Sequence, residues 1–328
     1  AAKVKDLIKK AKDLGMDSIA ITDHGNMFGV MEFVNEANNA GIKPIIGVET
    51  YIARRGVENK STREDRSGYH LVLLAKNEIG YNNLINLVSR SYTEGFYYSP
   101  RMDKSWLKEH SEGLIASSAC LGGEIPRMIL NYSMDKAEES LLSYLEIFKD
   151  DFYLELMSHG HEDQKIVNKA LFELGQKHNV KLIATNDIHF IEKDDYEAHK
   201  LLIRINTGKD DIEDSMFYTG NEYLKSYDEM LELFPNNPEV LENTINIANS
   251  IEPINLNKKA IMPLFPIPDE FENDDDYLRH LAFEGARKKY GEIDETISSR
   301  INYELGIIKN MGFAGYFLII QDLIAFAK

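Results

Sequence analysis

The sequence predicts an α/β chain: a mainly parallel sheet covered by helices and closed, or nearly closed, into an irregular barrel, then a mostly helical region. Three observations predict it. Helix and strand patterns alternate as far as Asp187, which implies parallel βα units. Short polar motifs stand where apolar runs stop, as they do where a barrel's strand ends converge on one face. Beyond Asp187 almost every pattern is helical.

Residues 4–14 carry apolar side chains at helical spacing, and 18–22 read as a buried strand. Residues 30–40 are helical and 44–51 a strand. Residues 54–68 are charged and patternless, so a mobile loop is expected. A strand at 70–75 precedes a helix at 81–92, where Leu84, Leu87 and Val88 share a face. The remaining alternation is strand 113–117, helix 135–148, strand 152–157, helix 163–178 and strand 181–185, spaced unevenly. Helices follow at 194–206, 227–234 and 238–250. Residues 251–276 hold Pro253, Pro263, Pro266 and Pro268, a density that neither a helix nor a central strand tolerates, so a linker is predicted. Helical patterns at 277–290 and 297–310 lead to an apolar run, 312–328, which ends without a stop signal and is expected to continue into a second domain.

Composition bounds the class. An apolar content of 43% over 328 residues is enough for a sizeable core. The chain has one cysteine, no visible secretory signal and no apolar run of membrane-crossing length, so an intracellular, reducing location is expected. A net charge of −17, from 54 acidic and 37 basic residues, argues against DNA binding by phosphate neutralisation alone. Bound divalent ions could still supply the positive charge a phosphate needs. The exception is a basic loop (Arg54, Arg55, Lys60, Arg63 and Arg66) that could touch phosphates, although a solvated loop is its ordinary explanation.

The strand-tip motifs carry the chemistry. They are Thr22-Asp23-His24-Gly25, Gly47-Val48-Glu49, Tyr69-His70, Ala119-Cys120-Leu121-Gly122-Gly123 and Thr185-Asn186-Asp187-Ile188-His189. Imidazole, thiolate and carboxylate together suit Zn, Mn or Fe. Asp187 and His189, two apart on an extended backbone, point to the same side. Taken singly each residue has a plain explanation: a hydrogen-bonded histidine, a small buried cysteine, a capping Asp23, a loop charge at Glu49. The group together reads as a metal cluster suited to phosphoester hydrolysis. His159, after another strand, is a candidate for a supporting or substrate-contact role, as is Asp23; His161 is expected to be exposed. His110, His178, His199 and His280 lie in helical patterns and are expected to be solvated or packed. No P-loop, zinc-finger spacing or nucleophile elbow is present.

The run from Thr22 to Gly29, with Gly41 to Glu49, Tyr69 to Asn77, Glu94 to Tyr98, Ser118 to Pro126 and Thr185 to His189, resembles the PHP (polymerase and histidinol phosphatase) domain of the bacterial replicative DNA polymerase III alpha subunits. Met311-Gly312-Phe313-Ala314-Gly315-Tyr316-Phe317-Leu318-Ile319 looks like the opening of the palm of those polymerases. The resemblance implies a distorted (β/α)7 PHP barrel over 1–252, a linker at 253–276 and the start of the palm at 277–328. By position it implies His24, Glu49, His70, Cys120, Asp187 and His189 as metal ligands, with Asp187, His189 and His24 catalytic. The family begins with a His-x-His strand and an Asp-Gly, which the sequence lacks, so the first barrel strand and three ligands are expected to be missing. Implied cofactors are Zn, Mn or Fe in the PHP site and Mg for polymerisation. Implied partners are primer–template DNA, deoxynucleotides and other replisome subunits, in the cytoplasm and with no membrane. The catalytic aspartates are expected beyond Lys328, so these residues alone are not expected to synthesise DNA. The implied PHP activity is a metal-dependent phosphoesterase or 3′–5′ exonuclease. Its rivals are a stand-alone PHP phosphatase acting on a small phosphate ester and a structural PHP domain without chemistry.

Overall fold

The computed structural model describes residues 2–208, 218–256 and 263–328. The chain divides into two compact units, Ala1–Leu256 and Asn257–Lys328. Part of the predicted proline-rich linker, 257–262, lies outside the described residues.

Among its described residues the first unit has seven strands: β1 (Ser18–Ile21), β2 (Lys43–Ala53), β3 (Gly68–Ala75), β4 (Arg101–Met102), β5 (Leu114–Ser117), β6 (Phe152–Leu156) and β7 (Leu182–Ala184). They run in the order β1-β2-β3-β5-β6-β7, and β4 pairs β2 off this path. β5 and β6 are buried at every position, so helices or other chain cover both faces. The core lies between this sheet and its helices, from Ile8, Phe33 and Val34 through Leu71, Leu73 and Leu87 to Leu154 and Leu171.

Two features depart from the sequence expectation and both place functional residues. β3 runs antiparallel to both β2 and β5. An apolar run carries no mark of direction, so a parallel arrangement was the natural reading. Because β3 is reversed, His70 near its start lies level with Tyr51, late in β2. Second, β2 runs well past β1. Its first part pairs β1 as far as Ile21↔Ile46, and Gly47–Ala53 then pairs β3. Glu49 is therefore in mid-strand rather than at a tip, yet it lies just beyond the end of β1, bridged to His24.

Residues 54–68 are not a free loop. Asp65 is buried and takes Arg55 on both oxygens, at 3.0 and 2.7 Å, together with the amides of Ser61 and Thr62. Arg101, fully buried, donates to the carbonyls of Gly95, Asn59 and Val57 at 3.1, 3.0 and 2.9 Å. These contacts bridge up to 44 residues of sequence, which no local pattern reveals. Three short elements were also unread: β4 and the helices Lys104–Glu109 and Glu124–Asn131, each too brief for a period to declare itself.

The second unit holds the helices Asp274–Tyr290, Glu295–Met311 and Ala314–Ala327. Asn273 and Asp294 cap the first two by accepting from the amides of Asp276 and Ile297, and Gly312 ends the second at φ +70°. Tyr316 and Phe317 are half exposed, while Ala314 and Leu318 turn inward. No single helix among the described residues is long and apolar enough to cross a membrane; Glu295–Met311 and Ala314–Ala327 meet that length only jointly, across a bend of 114°.

Candidate metal centre

β1 delivers His24. The amide of Glu49 donates to Asp23 O at 3.1 Å and that of Gly25 to Glu49 O at 2.8 Å, stitching the turn after β1 to β2. Glu49 is buried, and its side chain faces three others. His70 Nδ1 lies 2.5 Å from Oε1, His24 Nδ1 lies 3.8 Å from Oε2, and Cys120 Sγ lies 3.9 Å from Oε1. Cys120 Sγ is also 3.5 Å from His70 Nδ1. Donor atoms of His24, Glu49 and His70 all lie within 4.8 Å of one another, a spacing one ion could share. The Gly122-Gly123 turn makes room for this group: a Cβ on Gly122 would sit 2.9 Å from His70 Nδ1, and one on Gly123 would lie 2.0 Å from the Ser118 carbonyl.

Asp187 and His189 follow β7 and form a second group. His189 Nε2 is 3.3 Å from Asp187 Oδ1, and its Nδ1 is 3.3 Å from the Tyr218 hydroxyl. Burial works against a charged His189, but the Asp187 carboxylate prevails and holds its pKa above the usual imidazole value. The groups meet at His24, whose ring centroid is 5.6 Å from that of His70 and 6.3 Å from that of His189. Burial and the Glu49 charge push the Cys120 thiol well up, so a thiolate there needs a cation beside it. A cavity of about 500 Å³ is lined by His24, Glu49, Cys120, Glu155, Asp187 and His189 among others, with His70 just outside its lining.

The supporting candidates occupy different places. Asp23 is exposed beside the turn. His159 is buried and its ring nitrogens are both engaged: Nε2 donates to the Asn186 carbonyl at 2.9 Å, and Nδ1 accepts from Gln164 Nε2 at 3.1 Å. It braces the backbone next to Asp187. His161 is half-buried rather than exposed. His178 pairs Glu138 at 2.7 Å on the helix surface, and His110 faces Asn83 at 3.3 Å. His199 packs beside His189, 5.9 Å between centroids, with no hydrogen-bond partner for either ring nitrogen among the described residues.

Glu155 is the residue that sequence reasoning missed. It is buried in β6, where Oε2 accepts from Ser117 Oγ and Oε1 from Thr185 Oγ1, each at 2.5 Å, so one carboxyl ties β6 to β5 and to the residue that follows β7. Burial pushes its pKa up to about 7, against the pull of those hydroxyls and with help from the charges of Glu49 and Asp187. A raised folded-state value means the folded chain binds the proton more tightly than the unfolded chain. The stability this gives is complete below the ordinary value of 4.5 and is lost as pH rises through about 7. Metal-free protein is thus expected to lose on the order of 3 kcal/mol across that window. Glu155→Gln should flatten the loss, measured as denaturation midpoints against pH in chelator.

Backbone strain marks the same region. Among the described residues five non-glycine residues have positive φ, including Ala119 at +58°, next to Cys120, and Asp187 at +42°. Such conformations cost of order 1 kcal/mol or more and concentrate where geometry serves function.

Residues 1–159 match the PHP domain. Residues 276–328 match the bacterial DNA polymerase III alpha NTPase domain. The whole chain aligns with proteins named DNA polymerase III subunit alpha, at 46% identity in Borreliella burgdorferi, 40% in Treponema pallidum and 36% in Thermus aquaticus. These matches relate the chain, over its whole length, to the DNA polymerase III alpha subunits. It spans 29%, 28% and 32% of the length of those three relatives. A crystal structure of a proposed metal-dependent phosphoesterase from Bifidobacterium adolescentis aligns over 57% of this chain and 82% of its own. Its TM-score of 0.37 at 13% identity is too low to argue from.

Proposed function

We propose that the first unit is a divalent-metal phosphoesterase acting on the 3′ ends of DNA, within a protein that adds deoxynucleotides to a primer. The observation that carries this reading is one cavity lined by His24, Glu49, Cys120, Asp187 and His189, with Glu49 in reach of His24, His70 and Cys120.

The donor set fits Zn, Mn or Fe, since imidazole, thiolate and carboxylate are all offered. Glu49, His70, Cys120 and His24 would hold one ion and Asp187 with His189 would complete the centre. Such an ion supplies Lewis acidity at a phosphate oxygen and acidifies water. The chain's own residues do the rest. Glu49 Oε1 accepts a hydrogen bond from His70 Nδ1 when no cation is present, which keeps both groups aimed at the same point. Asp187 and Tyr218 fix the His189 ring from opposite nitrogens, so it stands in one orientation beside His24. His159, through Asn186, holds the backbone that carries Asp187. His24, half exposed, would be the first of these groups to meet an approaching phosphate.

The family relation supports the larger reading: primer–template DNA, deoxynucleotides with Mg, and other replisome subunits as partners, in the bacterial cytoplasm. The match of residues 276–328 to a polymerase segment favours this reading over a stand-alone phosphatase.

The test uses the whole chain, stripped of metal and reloaded with Mn or Zn, on a 5′-labelled single-stranded oligonucleotide. Stepwise shortening from the 3′ end is expected. Asp187→Asn should slow it about 100-fold or more, because a neutral amide holds a hard cation poorly, while melting is unchanged. Undiminished shortening in the variant, or none in the reloaded wild type, would leave the structural reading in its place.

A further inference from the structure

We propose that Phe28, Tyr98 and Arg66 form a stacking surface for single-stranded DNA at the rim of the metal site. The direction of the strand, 3′ end towards His24, rests on the phosphoesterase reading; the surface itself does not.

The rings are placed by the site's own loops. Phe28 is 85% exposed and is presented by the turn after His24, where Asn26 Nδ2 donates to the His24 carbonyl and the Phe28 amide donates to Asn26 Oδ1. Tyr98 is 65% exposed and belongs to the segment that touches the other side of that turn's glycine: a Cβ on Gly25 would fall 2.7 Å from Pro100 Cγ. Two large aromatic side chains left in water, on the turn after His24 and on the segment packed against that turn, are unusual company for a turn that only closes a barrel.

Tyr98 is also held under strain. Its φ is +63°, a conformation that is an outlier for a bulky side chain. The Tyr97 amide donates to the Ser99 carbonyl at 3.1 Å and Ser99 Oγ donates to the Arg66 carbonyl at 3.0 Å, which fixes the bend. The Arg66 guanidinium lies over the Tyr98 ring, 4.5 Å from its centroid.

The charges explain the occupant. Of the five cations in the basic loop, Arg55 is taken by Asp65 and Lys60 by the Glu94 carbonyl. Arg54, Arg63 and Arg66 have no carboxylate partner among the described residues, in a chain of net charge −17. Unpaired guanidinium beside exposed rings is the composition of sites for unpaired bases: rings stack on bases and arginine meets the phosphate. A base-paired end would hide the faces these rings need.

The test is the fluorescence anisotropy of a labelled oligothymidylate with the whole chain, at low salt and in chelator, so that no hydrolysis intervenes. The wild type is expected to bind, more weakly as salt rises. Phe28→Ala and Tyr98→Gly should each weaken binding about tenfold. Tyr98→Gly is chosen because glycine accepts positive φ, so the loop keeps its shape and melting is preserved. Arg66→Ala should weaken binding and lower the salt slope by about one phosphate contact. No binding by the wild type, or equal binding by the three folded variants, would overturn the proposal. Weakened binding in the variants alongside a wild type that hydrolyses nothing would refute the phosphoesterase reading and leave the surface intact.

Discussion

Glu49→Gln is expected to abolish stable metal binding while leaving the fold in place. Glu49 is the buried carboxylate from which His70, His24 and Cys120 are all within 4 Å. Glutamine keeps the shape and still accepts a hydrogen bond, but the negative charge that balances a dication is gone. Losing even a group that merely supports a ligand costs 10- to 100-fold in affinity, so losing the central carboxylate should cost at least about 100-fold. Calorimetric titration with Zn or Mn, with elemental analysis after dialysis, measures it. Above pH 7 the metal-free variant should unfold close to the wild-type temperature, because the weaker bond to His70 is offset by removing a negative charge that disfavours ionised Glu155. Affinity within a fewfold of the wild type would mean that Glu49 is not a ligand.

The second large effect lies away from the donors. Arg101→Met fills a similar space but strands the carbonyls of Gly95, Asn59 and Val57, all of which point into a buried site. At about 1 kcal/mol or more for each unsatisfied group, the expected loss is about 3 kcal/mol or more. It should appear first as proteolytic cutting within 54–68, since that segment loses its anchor while the sheet keeps its core. Because Ser99 and Arg66 are linked, DNA binding should weaken in step. A melting midpoint within a degree or two of the wild type, with no new cleavage, would show that the loop is held by Asp65 alone.

The fold was legible where a run of apolar residues was long and bounded. β1, β5 and β6 stand out as Ser18–Ile21, Leu114–Ser117 and Phe152–Leu156, each closed by polar residues. Direction was not legible, because the side chains of β3 would pack equally well if the strand were parallel; its reversal is set by which neighbours it meets. The extent of β2 was hidden for a related reason, since its two parts answer to different partners. The ordered loop at 54–68 depends on one arginine more than forty residues away.

Most candidate donors were legible because chemistry-bearing residues followed strands, and strand ends on one side of a sheet lie together. Glu155 shows the limit. It stands inside an apolar run rather than after one, so the rule of looking at strand ends passes over it. The signal was present in another form: a carboxylate in a strand apolar on both faces cannot face water and must have partners. The strain at Asp187, Ala119 and Tyr98 has no sequence mark, since none of them is glycine.

That these side chains form a metal centre can be checked by anomalous diffraction from crystals of the whole chain grown with Mn or Zn. The prediction is an anomalous peak at about 2.0–2.3 Å from donor atoms of Glu49 and His70, with His24 or Cys120 completing the first contacts. The Glu49→Gln crystals should lack that peak. Strong peaks elsewhere on the protein and none between Glu49 and His70, at saturating metal, would contradict the claim.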